Sequence, residues 1–361
     1  MKLIKNLATS LTLTLLFAHS ALSTPTSPDT ITSGMMINGS GSSAAQPLYS
    51  LWADAYKKNP TVSINYRPIG SAGGIKQIKA REVDFGASDV ALPASELALN
   101  KLVQFPSAIS GVVPVINLPG LKEGELKLNG DILVGIFSLT ISKWNDPAIA
   151  ALNPGLILPK TDIIPIVRLD GSGTTYNFTD YLSTISPIWR TTLGTNFLIQ
   201  WSKKILQVKG SSNIASTLKT TPGSISYIDY NYVVQEKLNY CQLQNSAGKF
   251  IRPNPASFTS ALNNSRWKSH SDFSQTLSNK PGAASWPITM GTFIILPAIA
   301  SNSSRAIASI QFFVWGFMQG DRYVNNLDLV HIPDQIQAKI FKTMTEITDQ
   351  KGHPLNWSAM P

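Results

Sequence analysis

The chain has 361 residues, a formal net charge of +9, 43% hydrophobic content and a single cysteine. That length exceeds what one hydrophobic core usually supports, so two domains are expected. The lone Cys241 excludes an intramolecular disulfide and reads as a packing residue, the four scattered histidines (His19, His270, His331, His353) offer no zinc spacing, and the dispersed lysines and arginines exclude a nucleic-acid patch.

Residues 1–23 read as a cleaved secretory signal. Lys2 and Lys5 stand without an acid, 7–17 is mostly apolar, and Ala18-His19-Ser20 and Ala21-Leu22-Ser23 both suit a signal peptidase. The apolar stretch falls short of the ~20 residues needed to span a bilayer. No cysteine lies near the cleavage site to carry a lipid. Export to the periplasm without an anchor is therefore expected.

A leader rich in Ser, Thr and Pro follows at 24–33. Leu48, Leu51, Trp52, Ala55 and Tyr56 recur at three and four, predicting a helix over 46–57. Ile64 and Tyr66, then Val83, Phe85 and Ala87, alternate as strands do, and 163–168 and 293–296 are short apolar runs. Ile307, Ile310, Phe313, Val314 and Phe317 follow helical spacing within 307–318, a segment too short to cross a membrane. Strand–helix alternation over this length indicates an α/β protein with mainly parallel sheets.

Three Gly/Ser-rich turns open predicted helices: Gly39-Ser40-Gly41-Ser42-Ser43, Gly70-Ser71-Ala72-Gly73-Gly74 and Asp170-Gly171-Ser172-Gly173-Thr174-Thr175. The first N–H groups of a helix lack partners inside it and carry the positive end of its dipole. Glycine admits a ligand close to the backbone, and Ser and Thr add hydroxyl donors. Such helix starts converging on one point would hold an oxyanion. Singly, each turn also fits an ordinary helix cap. Arg168 and Asp170 flank the third turn, and Asp89 ends Asp84-Phe85-Gly86-Ala87-Ser88-Asp89. Two readings of Arg168 and Asp170 stay open, a structural ion pair or an arginine fork held for an oxyanion by its neighbouring carboxylate. An acid in an anion site makes sense where the ligand carries a proton for it to accept.

These motifs resemble those of the periplasmic phosphate-binding protein of the phosphate ABC transporter, the PstS family. Gly111-Val112-Val113, Asn117-Leu118-Pro119-Gly120, Lys143-Trp144-Asn145-Asp146, Leu152-Asn153-Pro154-Gly155 and Trp286-Pro287-Ile288-Thr289 extend the resemblance over nearly the whole exported chain. It implies a two-lobed periplasmic binding protein of the type II solute-binding fold, each lobe a mainly parallel sheet flanked by helices, with a hinge between them. Lobe 1 would comprise 34–113 plus 289–361, and lobe 2 would comprise 114–288.

The resemblance further implies a monomeric receptor without a cofactor. It would bind mono- or dihydrogen phosphate between the lobes and pass it to an inner-membrane ABC permease complex. The family's ligand contacts fall on Ser43, the backbone of Ala44, Ser71, Asp89, Arg168, Ser172, Gly173 and Thr174, with Asp170 as the acid orienting the arginine. One departure is that Ser43-Ala44-Ala45 stands where the family usually has Thr-Phe-Pro. Asp89 would accept the ligand's proton and so reject sulfate. The rival readings are a secreted phosphate-ester hydrolase, which lacks a histidine or metal cluster near the motifs, and a receptor for another protonated oxyanion such as arsenate.

Overall fold

The computed structural model describes residues 34–56, 62–267, 273 and 275–357. The expected signal, the leader, His19 and His270 lie outside them. β1 (Met35–Gly41), β2 (Val62–Arg67) and β3 (Phe85–Ser88) pair in parallel in the order β2-β1-β3. The crossovers between them are the helices Gln46–Tyr56 and Ser71–Lys79. β4 (Leu102–Asn117) then runs along the molecule as a 16-residue strand. After β5 (Lys127–Leu128), a second parallel set forms from β6 (Ile164–Arg168), β7 (Leu206–Val208) and β8 (Ser224–Asp229), in the order β8-β6-β7. β9 (Asn239–Tyr240) adds to β4, and β10 (Gln242–Gln244) with β11 (Phe250–Ile251) joins β5 in a small separate sheet. β12 (Leu277–Ser278) leads into β13 (Ile288–Pro297), which returns antiparallel between β3 and β4.

Parallel pairing thus runs through the outer strands at both ends, and antiparallel pairing joins them in the middle. The reason is β4. Its residues 102–111 pair with β13, while 112–117 pair with β8. One strand therefore serves two halves and changes partner at Gly111–Val112. A Cβ on Gly111 would lie 2.3 Å from the Phe258 ring, so the close packing there needs glycine. Trp286 seals the same point, its indole N–H donating to the Val112 carbonyl at 3.0 Å.

The expected C-terminal helix is Ser303–Gln319, and it buries Ile307, Ile310, Phe313, Val314 and Phe317. Phe313 meets Phe85 and Tyr49 edge-on, with centroids 5.0 and 5.8 Å away, so this helix packs on the first parallel set. No helix among the described residues is long and apolar enough to cross a membrane.

The first Gly/Ser turn differs from its sequence reading, because Gly39, Ser40 and Gly41 belong to β1. β1 lies between β2 and β3, and its glycines serve close approach there. A Cβ on Gly39 would lie 2.0 Å from the Phe85 ring, and one on Gly41, at φ +145°, would lie 2.0 Å from the Ala87 carbonyl oxygen. Gly41→Ala is therefore expected to cost about 3 kcal/mol or more, because the contact is with backbone that cannot swing away. Denaturant unfolding of the variant checks this.

Candidate anion-binding site

The ends of β1, β3 and β6 meet. After Gly41, Ser42 and Ser43 lead to the Gln46–Tyr56 helix; after Ser88 comes Asp89; and after Arg168 the chain turns into the helix Gly173–Ile185. The carboxyl ends of parallel strands, facing helix starts, are where α/β folds bind ligands. The second turn opens the Ser71–Lys79 helix, with Gly70 at φ +86°. A Cβ on Gly70 would lie 2.7 Å from Asp170 Oδ2, so only glycine lets this turn touch the third one. The Ala72 N–H donates to the Gly171 carbonyl at 3.1 Å. A Cβ on Gly173 would lie 2.5 Å from Ser71 Oγ and 2.7 Å from Asp89 Cβ. All three turns thus converge, and Ser43, Ala44, Ser71, Asp89, Arg168, Ser172, Gly173 and Thr174 are buried around one spot, with Asp170 half-buried at its edge.

Arg168 is only 2% exposed, and three of its five N–H groups are engaged by Asp170 and Ser211. Its Nε donates to Asp170 Oδ1 at 2.7 Å, and its Nη2 pairs with Asp170 Oδ2. This fork-on-fork contact leaves Nη1, which donates to Ser211 Oγ at 3.2 Å. Burial alone would raise the Asp170 carboxyl, but the hydrogen bonds and charge of Arg168 and the Gly210 N–H outweigh it and hold the group below its ordinary range.

Asp89 is 3% exposed and pairs with no cation among the described residues. Hydroxyls hold it instead. Ser42 donates to Oδ2 at 2.6 Å, Thr292 donates to Oδ1 at 2.7 Å, and Ser71 sits 3.4 Å from Oδ2 while accepting the Asp89 N–H at 3.1 Å. Burial pushes the carboxyl above its ordinary range, while those hydroxyls and the Arg168 charge pull it the other way. A carboxylate surrounded by donors and helix starts is an acceptor set among donors. It suits a ligand that presents both acceptor oxygens and one proton.

The sequence matches the family model of the PBP superfamily domain over residues 20–296. A phosphate-binding protein PstS of Xylella fastidiosa is 42% identical over 309 residues, covering 86% of this chain and 85% of that one. Its counterpart in Pasteurella multocida is 41% identical, covering 89% and 94%. The chain belongs to the PstS family of phosphate-binding proteins. Among solved structures, a phosphate-binding protein from Stenotrophomonas maltophilia shares the fold with a TM-score of 0.65 at 18% identity, covering 85% of this chain and 93% of that one. A putative phosphate ABC transporter substrate-binding protein with bound phosphate, from Clostridium perfringens, has a TM-score of 0.59 at 17% identity, covering 82% and 100%.

Within this PstS-family site, the Ser43-Ala44-Ala45 departure has a visible setting. Ser42 Oγ accepts the N–H groups of Ala44 and Ala45 at 3.0 and 3.3 Å. The Ala44 N–H, expected to face the ligand, is therefore already engaged and would have to share that bond. The turn is clamped from the opposite half, because Asn231 Nδ2 donates to the Ala44 carbonyl at 2.8 Å and the Tyr232 hydroxyl to the Ser43 carbonyl at 3.0 Å. Ser172 Oγ caps its helix through the Thr175 N–H at 3.1 Å, and its own hydrogen remains available to donate.

Several site residues were not singled out from sequence. Asn177, one turn into the helix Gly173–Ile185, donates to the carbonyls of Asp89 and Gly173 at 2.8 and 2.9 Å and ties the two halves together. Ser211 opens the helix Ser211–Thr220 after Gly210 at φ +76°, the same Gly-Ser signature as the other three turns. Thr292, deep in β13, carries no local signal at all. Asp229 is a second fully buried acid; burial and the charge of Asp89 push it well above the ordinary carboxylate range. Cys241 is buried and its thiol is pushed up by burial, in keeping with packing.

Proposed function

We propose that this protein is the periplasmic receptor of a phosphate ABC transporter, a binding protein and not an enzyme. It takes up mono- or dihydrogen phosphate between two lobes and delivers it to the inner-membrane permease. The observation that carries this reading is the buried Arg168–Asp170 fork set opposite the donor-ringed carboxylate of Asp89, in a chain of the PstS family. Ser43, Ser71, Ser172 and Thr174 would donate hydroxyls, Gly173 its helix-start N–H, and Ala44 its N–H by exchange with Ser42. Residues 34–113 plus 289–361 would form one lobe and 114–288 the other, and the change of partner in β4 at Gly111–Val112 supports a hinge close to that boundary. Residues 1–23 would be removed on export, and the mature protein would act as a monomer without a cofactor.

Calorimetric titration of anion-stripped protein tests the reading. Phosphate should bind one-to-one and sulfate should give no heat. Silence toward phosphate would overturn it, and steady turnover of a chromogenic phosphate ester by pure protein would replace it with a hydrolase.

A further inference from the structure

Ser211 lies outside the family's expected contacts, yet it joins the two sides of the site. Its hydroxyl is 2.8 Å from Ser43 Oγ, across 168 positions of sequence, and its own N–H donates to Ser43 Oγ at 3.3 Å. Arg168 Nη1 donates to Ser211 Oγ at 3.2 Å. Ser43 and Ser211 are both buried, so neither hydroxyl can turn to solvent. Asp170 sets the turn before Ser211, accepting the Gly210 N–H on the same Oδ1 that receives Arg168 Nε.

We infer that Ser211 is a positioning residue: it orients the Ser43 hydroxyl toward the anion and links it to the arginine charge. This rests on the phosphate-receptor reading and adds a directional element to it. A guanidinium only donates, so Ser211 Oγ accepts from Arg168. A backbone N–H only donates, so Ser43 Oγ accepts from the first residue of the Ser211–Thr220 helix. The hydrogen between the two oxygens can then come from either serine. If it came from Ser43, that residue would face the ligand as a pure acceptor, which an anion oxygen repels. If it comes from Ser211, every hydrogen runs one way, from Arg168 to Ser211, to Ser43, to the anion. Hydrogen bonds in such a chain polarise one another, and here a cation heads it in a buried site. Serine in place of the family's threonine at 43 keeps the hydroxyl but not the methyl group that restricts its rotamer. The Ser211 contact supplies that restriction from the other side of the cleft.

The test is a double-substitution cycle read by phosphate calorimetry. Ser211→Ala should weaken phosphate binding by about tenfold, the scale of one hydrogen bond to a charged network. Ser43→Ala should lose at least as much. Because Ser211 acts through Ser43, the double variant should bind no worse than Ser43→Ala alone. Ser211→Thr, which keeps the hydroxyl, should restore most of the affinity and guards against a folding defect in the alanine variant. Wild-type affinity in Ser211→Ala, or losses that simply add in the double variant, would overturn the relay while leaving the receptor reading intact. A wild-type protein that binds no phosphate would overturn the receptor reading itself and the relay with it.

Discussion

Asp89→Asn should bring sulfate into the site. The wild-type carboxylate only accepts, so a fully deprotonated tetrahedral anion places an oxygen against its lone pairs with no proton between them. An amide of nearly the same shape offers an N–H to that oxygen. Removing such a buried clash changes relative affinity by about a hundredfold, at ~1.4 kcal/mol for each tenfold step. Phosphate should lose less, because only its proton-accepting partner changes. Competition calorimetry with sulfate measures both effects. A variant that rejects sulfate as strongly as wild type does would show that Asp89 does not select by proton acceptance.

The same residue predicts a pH effect with a definite sign. Burial raises the Asp89 carboxyl above its ordinary value of 3.8. As pH falls through the raised value, Asp89 gains a proton and becomes a donor, so wild-type discrimination against sulfate should weaken on acidification and that of Asp89→Asn should not change. The stability linkage runs the same way. The protonated form is favoured in the folded protein, so the contribution is fully present below the ordinary value and is lost as pH rises through the raised one.

Arg168→Ala should weaken phosphate binding by at least about a hundredfold and cost about 3 kcal/mol of stability, the range found when one member of a buried pair is deleted. Of the partners that hold it down, Asp170 would keep only the backbone N–H groups of Gly210 and of Asp170 itself, and Ser211 would lose the donor at the head of its chain. Asp170 also gives this variant a pH signature. Its folded value is depressed, so its stabilising contribution is present above the ordinary carboxylate value and disappears as pH falls through the lower one. That slope should shrink in Arg168→Ala. Arg168→Lys should not rescue binding, because an ammonium cannot hold both oxygens of Asp170 and still donate to Ser211. Calorimetry and denaturant unfolding across pH measure these effects together. Lost stability with unchanged phosphate affinity would leave the pair a purely structural ion bridge.

Much of this protein is legible without coordinates because its chemistry is local. A helix start is written in a few adjacent residues, so Gly70-Ser71, Ser172-Gly173 and the spacing of Leu48, Trp52 and Tyr56 could be read directly. Arg168 and Asp170 stand two apart at a strand end, close enough for sequence to pair them, although not to choose between a structural bridge and an anion fork. The first turn was legible as glycine-rich, but its glycines proved to be strand residues. The Phe85 ring and the Ala87 carbonyl that exclude a side chain there come from a neighbouring strand.

Which turns meet, and what completes them, depends on long-range packing. Thr292 reaches Asp89 across 203 positions, Asn231 reaches Ala44 across 187 and Ser211 reaches Ser43 across 168. A threonine in a buried strand, an asparagine after a strand and a serine opening a helix each have an ordinary local purpose, so none announces its partner. Those partners follow from sheet order, above all from β4 pairing with β13 along one stretch and with β8 along the next. Strand order is set by which faces bury together over the whole chain, a sum of many weak long-range contacts that leaves no mark at any single position.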